Sequence, residues 1–248
     1  MGIVTLEKDV TAVRESCRIV RKVLAELAQF IQPGVATAEI DALGREIIRS
    51  EGAVPSFLNY NGYPAAVCVS INREVVHGIP SAERIVEDGD IVGIDVGAYK
   101  NGYHGDAADT VMVGNVSPEA GRLVEVTYEA RNLGIAAAVR GNRTGDIGHA
   151  VQTYVEANGF SVVQRFIGHG IGRKLHESPP VPNYGEAGMG MKLIDGLLLA
   201  IEPMVNAGTA EVSFLQDGWT VVTGDGSLSA HAENTIMING SHPEILTA

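Results

Sequence analysis

The chain has 248 residues, 45% of them hydrophobic, enough for one sizeable core and too apolar for a disordered segment. Its 18 Lys and Arg stand against 30 Asp and Glu, a net charge of -12, with no basic cluster to follow a phosphate backbone, so direct nucleic-acid binding is not expected. No apolar run approaches the roughly 20 residues that span a bilayer, Met1 to Val10 carries no signal pattern, and Cys17 and Cys68 are too few for a disulfide scaffold, so a cytoplasmic protein is expected.

Val13, Cys17, Val20, Leu24, Leu27 and Ile31 recur at three- and four-residue steps, which predicts an amphipathic helix over 8–31 stopped by Pro33-Gly34. A second helix should open with Thr37 as its N-cap and stop at Gly52, burying Ile40, Leu43, Ile47 and Ile48. Strand-forming stretches follow at 66–71 and 91–113, the latter folded at Asn101-Gly102, a dipeptide suited to a two-residue hairpin turn. Ser117-Pro118 gives an N-cap and first-turn proline for a helix reaching Gly141, and Thr144 opens another that reaches Gly159. Further strands are expected at 160–167, 197–206, 219–223 and 234–239. The mixture points to an α+β fold with helices on a curved, largely antiparallel sheet, and no linker interrupts it, so residues 1–248 are read as one domain.

An internal echo runs through this pattern. Asp88 to Asp95, DGDIVGID, matches Asp195 to Glu202, DGLLLAIE: each is a DG turn, an apolar strand, a small residue, Ile and an acid. Two similar half-domains would deliver Asp95 and Glu202 to a shared centre. In the hairpin, Gly97 should oppose Asp106 and Asp95 should oppose Ala108, which puts Asp95 and Asp106 on one face as diagonal neighbours about 7 to 8 Å apart at Cα, with Asp109 on the other face.

A charge taken out of water needs a partner, a hydrogen bond or a cation. IGHGIGRKLHESP adds His169 and His176, LAIEPM adds Glu202, and SAHAENTIMI adds Glu233. Four carboxylates and an imidazole form a hard donor set suited to Mn, Fe, Co or Zn, with room for two ions that could activate water for attack on a carbonyl. Each acid alone is more commonly a solvated charge or a cap. Gly168 to Gly172 has the glycine density of a phosphate cradle, but Pro179-Pro180 argues against the helix that a cradle needs. Cys68 with His77 could pair as nucleophile and base, although a strand cysteine is more commonly core or pocket wall.

NREVVHGIP, IDVGAYKNGYHGD, GHGIGRKLHESP, LAIEPMV and DGWTVVTGDGSLSAHAENTI occur in the order and spacing found in type I methionine aminopeptidases of the short bacterial form, which the chain resembles along nearly its whole length. The resemblance implies the pita-bread fold, two pseudo-symmetric halves enclosing a curved sheet. It implies two divalent metal ions held by Asp95, Asp106, His169, Glu202 and Glu233, with Asp106 and Glu233 bridging them. It implies a metal-bridging hydroxide that attacks the carbonyl of an N-terminal methionine, Glu202 as proton shuttle, His176 on the substrate carbonyl or oxyanion, and His77 on the scissile amide nitrogen. The methionine pocket would comprise Phe57, Tyr60, Tyr63, Cys68, Leu175 and Trp219, beside His77 and His176. Nascent polypeptides or peptides with a small second residue would be substrates, a transient association with the ribosome is the partner it raises, and a monomer is expected.

Three positions depart from common family members: Val76 replaces a cysteine, Leu175 an aromatic, and Asn234 a histidine. The first two bear on pocket shape and the third on metal affinity. Two rival functions remain in view. A proline-directed peptidase of the same fold would use metal residues of the same kind but usually carries an extra N-terminal domain, and a non-catalytic binding member would be expected to have lost ligands.

Overall fold

The apolar stripe of the first thirty residues becomes α1 (Glu7–Phe30), with Val13, Cys17, Val20, Leu24 and Leu27 buried; the computed structural model describes residues 1–248. α2 (Thr37–Ser50) follows, then β1 (Val54–Pro55), β2 (Val67–Ile71), β3 (Glu74–Val76), β4 (Ile91–Lys100) and β5 (Tyr103–Met112). The second half has α3 (Pro118–Ala137), α4 (Thr144–Ala157), β6 (Ser161–Val162), β7 (Gly168–Gly170), β8 (Glu177–Val181), β9 (Leu198–Ile201) and β10 (Met204–Asn206). It closes with β11 (Val212–Phe214), β12 (Val221–Thr223), β13 (Ser229–His231), β14 (Asn234–Met237) and β15 (Glu244–Ile245). Every strand pair is antiparallel, in four hydrogen-bonded sheets. No helix is long and apolar enough to cross a membrane.

All four expected helices form, and Ser117 caps α3 by accepting the N–H of Ala120 (3.1 Å). Thr37 is not the cap of α2. It lies in the first turn, where its hydroxyl accepts from Ser81 N (2.8 Å) and donates to Ser81 O (3.0 Å), while Glu39 takes the N–H of Ala36. A tertiary clip has recruited the side chain that local capping would have used. The strand expected over 160–167 stops at Val162: Val163 still donates to Met204 O (3.0 Å), after which Arg165 turns out to stack on Phe214. The strand expected over 197–206 breaks at Glu202-Pro203, since proline has no N–H for the ladder. β7 and β8 were not anticipated. Their glycines permit close backbone approach, because a Cβ on Gly168 would meet Ala200 O at 2.4 Å and one on Gly170 would meet Ser178 O at 2.2 Å. That is the physical use of the GHG run, and it excludes the phosphate cradle.

The eight-residue echo is the visible end of a much longer repeat. Gly34 N donates to Val86 O (2.8 Å) as Gly141 N does to Leu193 O (3.0 Å), and Thr37 N donates to Arg84 O (2.8 Å) as Thr144 N does to Met191 O (3.0 Å). Gly89 N to Val113 O (2.8 Å) is matched by Gly196 N to Ile238 O (2.9 Å). Both DG glycines sit at positive φ, 95° and 79°, which explains why each apolar strand begins with one. α1 and α2 pack on the β2–β4–β5 sheet, and α3 and α4 cover the strands of the second half. The two halves meet between β5 and the β13–β14 segment, where Glu233 N donates to Ala108 O (2.8 Å). This is the pita-bread arrangement, with the acids along its seam.

Candidate active site

Asn101 and Gly102 both have positive φ, 52° and 87°, so the hairpin turns in two residues and the register follows: Asp95 opposes Ala108 and Gly97 opposes Asp106. Asp95 and Asp106 therefore share a face. Asp109 points the other way, where Arg21 (2.8 Å) and the hydroxyl of Tyr128 (3.1 Å) hold it and Arg131 lies at 3.8 Å. Gly97 is required opposite Asp106, since a Cβ there would come within 2.8 Å of the Phe57 ring.

The second half brings Glu202 from the Pro203 break, Glu233 from the junction of β13 and β14, and His169 from β7. His169 Nδ1 donates to Gly170 O (2.9 Å), which leaves Nε2 unprotonated and facing Glu202 (3.4 Å) and Asp106 (4.0 Å). Ligand atoms of Asp106, His169 and Glu233 lie within 4.8 Å of one another, and so do those of Glu202, His231 and Glu233. His231 was missed in the sequence, although it lies inside the motif that carries Glu233. Only folding brings its ring to the acids.

Nothing in the protein neutralises this cluster. Asp95 Oδ1, Asp106 Oδ1 and Glu233 Oε1 are buried without a hydrogen-bond partner. Burial pushes the Asp95 carboxyl up to about 7, against the pull of the Val96 N–H. It drives Asp106 well above the usual range, helped by Glu233 and Asp95; Glu202 is raised by burial and by Asp106 and Asp95, and Glu233 by burial and by Glu202 and Asp95. Buried acids this close require divalent cations or protons, and hard oxygen donors with an unprotonated imidazole fit the former.

A stability measurement follows. A carboxyl whose pKa is raised on folding weakens the metal-free protein as pH climbs from about 4, its unfolded value, through about 7, its folded one. Asp95→Asn removes that penalty and leaves in place the buried histidines His77, His104, His169 and His231, whose rings burial holds below the usual value. Urea unfolding with chelator present should show the variant gaining on the parent between pH 4 and 7, by on the order of 1 kcal/mol or more at the upper end. A constant difference across that range would contradict the burial assigned to Asp95.

The cluster lies where a cavity meets an open groove. The cavity, about 200 Å³, is lined by Phe57, Tyr60, Tyr63, Cys68, Leu175 and Trp219, with Asn61, His77 and His176 and the five ligand candidates. All the residues expected at the site are thus brought together. The Cys68 thiol is raised by burial, and beside Asp95 it is a wall and not a nucleophile. The groove runs past Val76, Phe166, Met204 and His231, and shares His77, Asp95, His169, His176 and Glu202 with the cavity. His77 holds a left-handed backbone (φ 60°), with its ring edge-on to Phe166 at 5.6 Å and to Trp219 at 6.3 Å. The hydroxyl of Tyr60 lies 2.7 Å from His176 Nδ1. Asn234 donates its amide to Thr247 Oγ1 (2.9 Å), which ties β14 to the C-terminal segment.

The model of metallopeptidase family M24 matches residues 11–240. The methionine aminopeptidase of Clostridium acetobutylicum is 49% identical over 247 residues, covering 100% of this chain and 99% of its own, and methionine aminopeptidase 1 of Bacillus subtilis is 48% identical with the same coverage. The crystal structure of the Thermotoga maritima methionine aminopeptidase superposes with a TM-score of 0.97 at 42% identity, covering 100% of this chain and 99% of that one. The Xaa-Pro dipeptidase of Bacillus anthracis, at 21% identity and a TM-score of 0.77, shares the fold, with 62% of its length covered.

Proposed function

The chain belongs to metallopeptidase family M24, and we propose that it is a methionine aminopeptidase, hydrolysing the first peptide bond of polypeptides that begin with methionine and a small second residue. One observation carries this reading: the acid cluster sits between a cavity of about 200 Å³ walled by Phe57, Tyr60, Tyr63, Cys68, Leu175 and Trp219 and a wider groove, so a chain lying across it offers one side chain to the cavity and the rest to the groove. That geometry favours an exopeptidase. Aromatic rings and the Cys68 sulfur suit a thioether.

Asp95, Asp106, His169, Glu202 and Glu233 would hold two divalent ions, from Mn, Fe, Co or Zn, which when bound supply Lewis acidity and an activated water. The protein's own groups do the rest. Tyr60 engages Nδ1 of His176, which leaves Nε2 to donate to the substrate carbonyl oxygen as it gains charge. His77, braced by Phe166 and Trp219, faces the scissile amide nitrogen at the neck between cavity and groove. Glu202 lies in both spaces and can carry a proton from the attacking water to the leaving amine. We assign the whole chain to one catalytic domain, acting as a cytoplasmic monomer on nascent chains with transient access to the ribosome.

The test is selectivity. Met-Ala peptides should be cleaved at least tenfold faster than Met-Leu peptides, because a bulky second side chain must fit beside His77 at the neck; Ala-Pro peptides should be refractory, and chelation should stop all turnover. Equal kcat/KM on Met-Ala and Met-Leu, or activity surviving exhaustive chelation, would overturn the reading.

A further inference from the structure

The repeat does more than bury two acids in parallel. Thr235 Oγ1 accepts the N–H of Asp106 (3.1 Å) and donates to its carbonyl (2.7 Å). Thr110 Oγ1 accepts the N–H of His231 (3.1 Å) and donates to its carbonyl (2.7 Å). Each half thus clips the other with a threonine, and the residues clipped are Asp106 and His231. Strand pairing gives the same equivalence: Asp106 opposes Gly97, two residues beyond Asp95 on β4, and His231 opposes Met204, two residues beyond Glu202. His231 therefore occupies in the second half the place that Asp106 occupies in the first.

Its surroundings fit that place. The side chain is 5% exposed, and Nε2 has no hydrogen-bond partner. That nitrogen lies 3.9 Å from Glu202 Oε2, and a ring nitrogen of His231 lies within 4.8 Å of one oxygen each of Glu202 and Glu233. A buried ring nitrogen with neither a donor nor an acceptor, aimed at carboxylates that themselves need a cation, is placed to share that cation with them. We propose that His231 is a sixth ligand residue, its Nε2 coordinating the cation that Glu202 and Glu233 hold. The proposal rests on the reading of the acids as metal ligands. It gives the centre an imidazole from each side, His169 on one and His231 on the other, and makes one ion bind through more nitrogen than the five-residue set would provide.

The probe is Co(II) alone, added to metal-free protein, with X-ray absorption used to count imidazole neighbours and calorimetry to count and rank the ions. His231→Gln and His231→Asn are the variants, so that one remains should the other fail to fold, and each is checked by thermal unfolding without metal. The parent should show scattering from two imidazoles per pair of ions and each variant from one, with one ion at least tenfold weaker. An unchanged imidazole count would overturn the proposal, even where affinity falls, because that combination means His231 only orients Glu202 through a hydrogen bond. A parent that takes up no Co(II) would overturn the ligand reading itself, a result distinguishable from loss of the second imidazole alone.

Discussion

Asp95→Asn and Asp106→Asn should each abolish metal uptake and methionine release together, while Asp109→Asn, three residues beyond Asp106 on β5, should leave metal affinity within about twofold of the parent. The contrast comes from the pleat. Asp95 and Asp106 face the cluster with unpartnered oxygens, and an amide there presents a dipole where a cation needs a full charge. Asp109 faces α1 and α3, held by Arg21 and Tyr128 with Arg131 nearby. Its loss leaves a half-buried guanidinium without its carboxylate, so the expected cost is in stability, on the order of 1–3 kcal/mol. Calorimetric titration of the three variants, with unfolding curves beside them, separates the outcomes. Loss of metal from Asp109→Asn with retention of both ions by Asp95→Asn would sink the assignment of faces.

The second large effect concerns groups that hold no metal in this reading. His176→Ala and His77→Ala should each lower kcat by about 10² or more with metal content near that of the parent, as removal of a transition-state hydrogen bond does. Tyr60→Phe is a finer probe, because it keeps the ring in the cavity wall and deletes only the hydroxyl at 2.7 Å from His176 Nδ1. Its kcat should fall by about tenfold while KM for a Met-Ala peptide stays near the parent value. A rise in KM with kcat unchanged would mean that Tyr60 serves the methionine side chain alone. Loss of metal from either histidine variant would make that histidine a ligand.

These residues differ in how far they could be read before folding. The hairpin was legible because Asn101-Gly102 tolerates two successive positive φ values, and a two-residue turn leaves only one register. The four helices were legible because their apolar spacing and the Ser117 cap are local. Thr37 misled, since a residue able to cap its own helix was spent on Ser81. β7 and β8 were hidden because glycine and proline suppress the usual strand signal, and β7 pairs only through close backbone approach to β8 on one side and β9 on the other.

Sequence alone established the alternation that puts Asp95 and Asp106 on one face and the repeated DG-strand-acid pattern, which depend on turns and pleating between near neighbours, and the chemical type of the donor set, which depends on residue identity alone. The place of His231 could not be established in that way. Its equivalence to Asp106 is made by Thr110 and Thr235, each reaching across more than a hundred residues to grip a backbone in the opposite half. The same holds for Tyr60 and His176, and for the junction of cavity and groove. Such contacts exist only once the two halves have closed on each other, because the free energy that aligns them comes from burying the seam and not from any local preference of the chain.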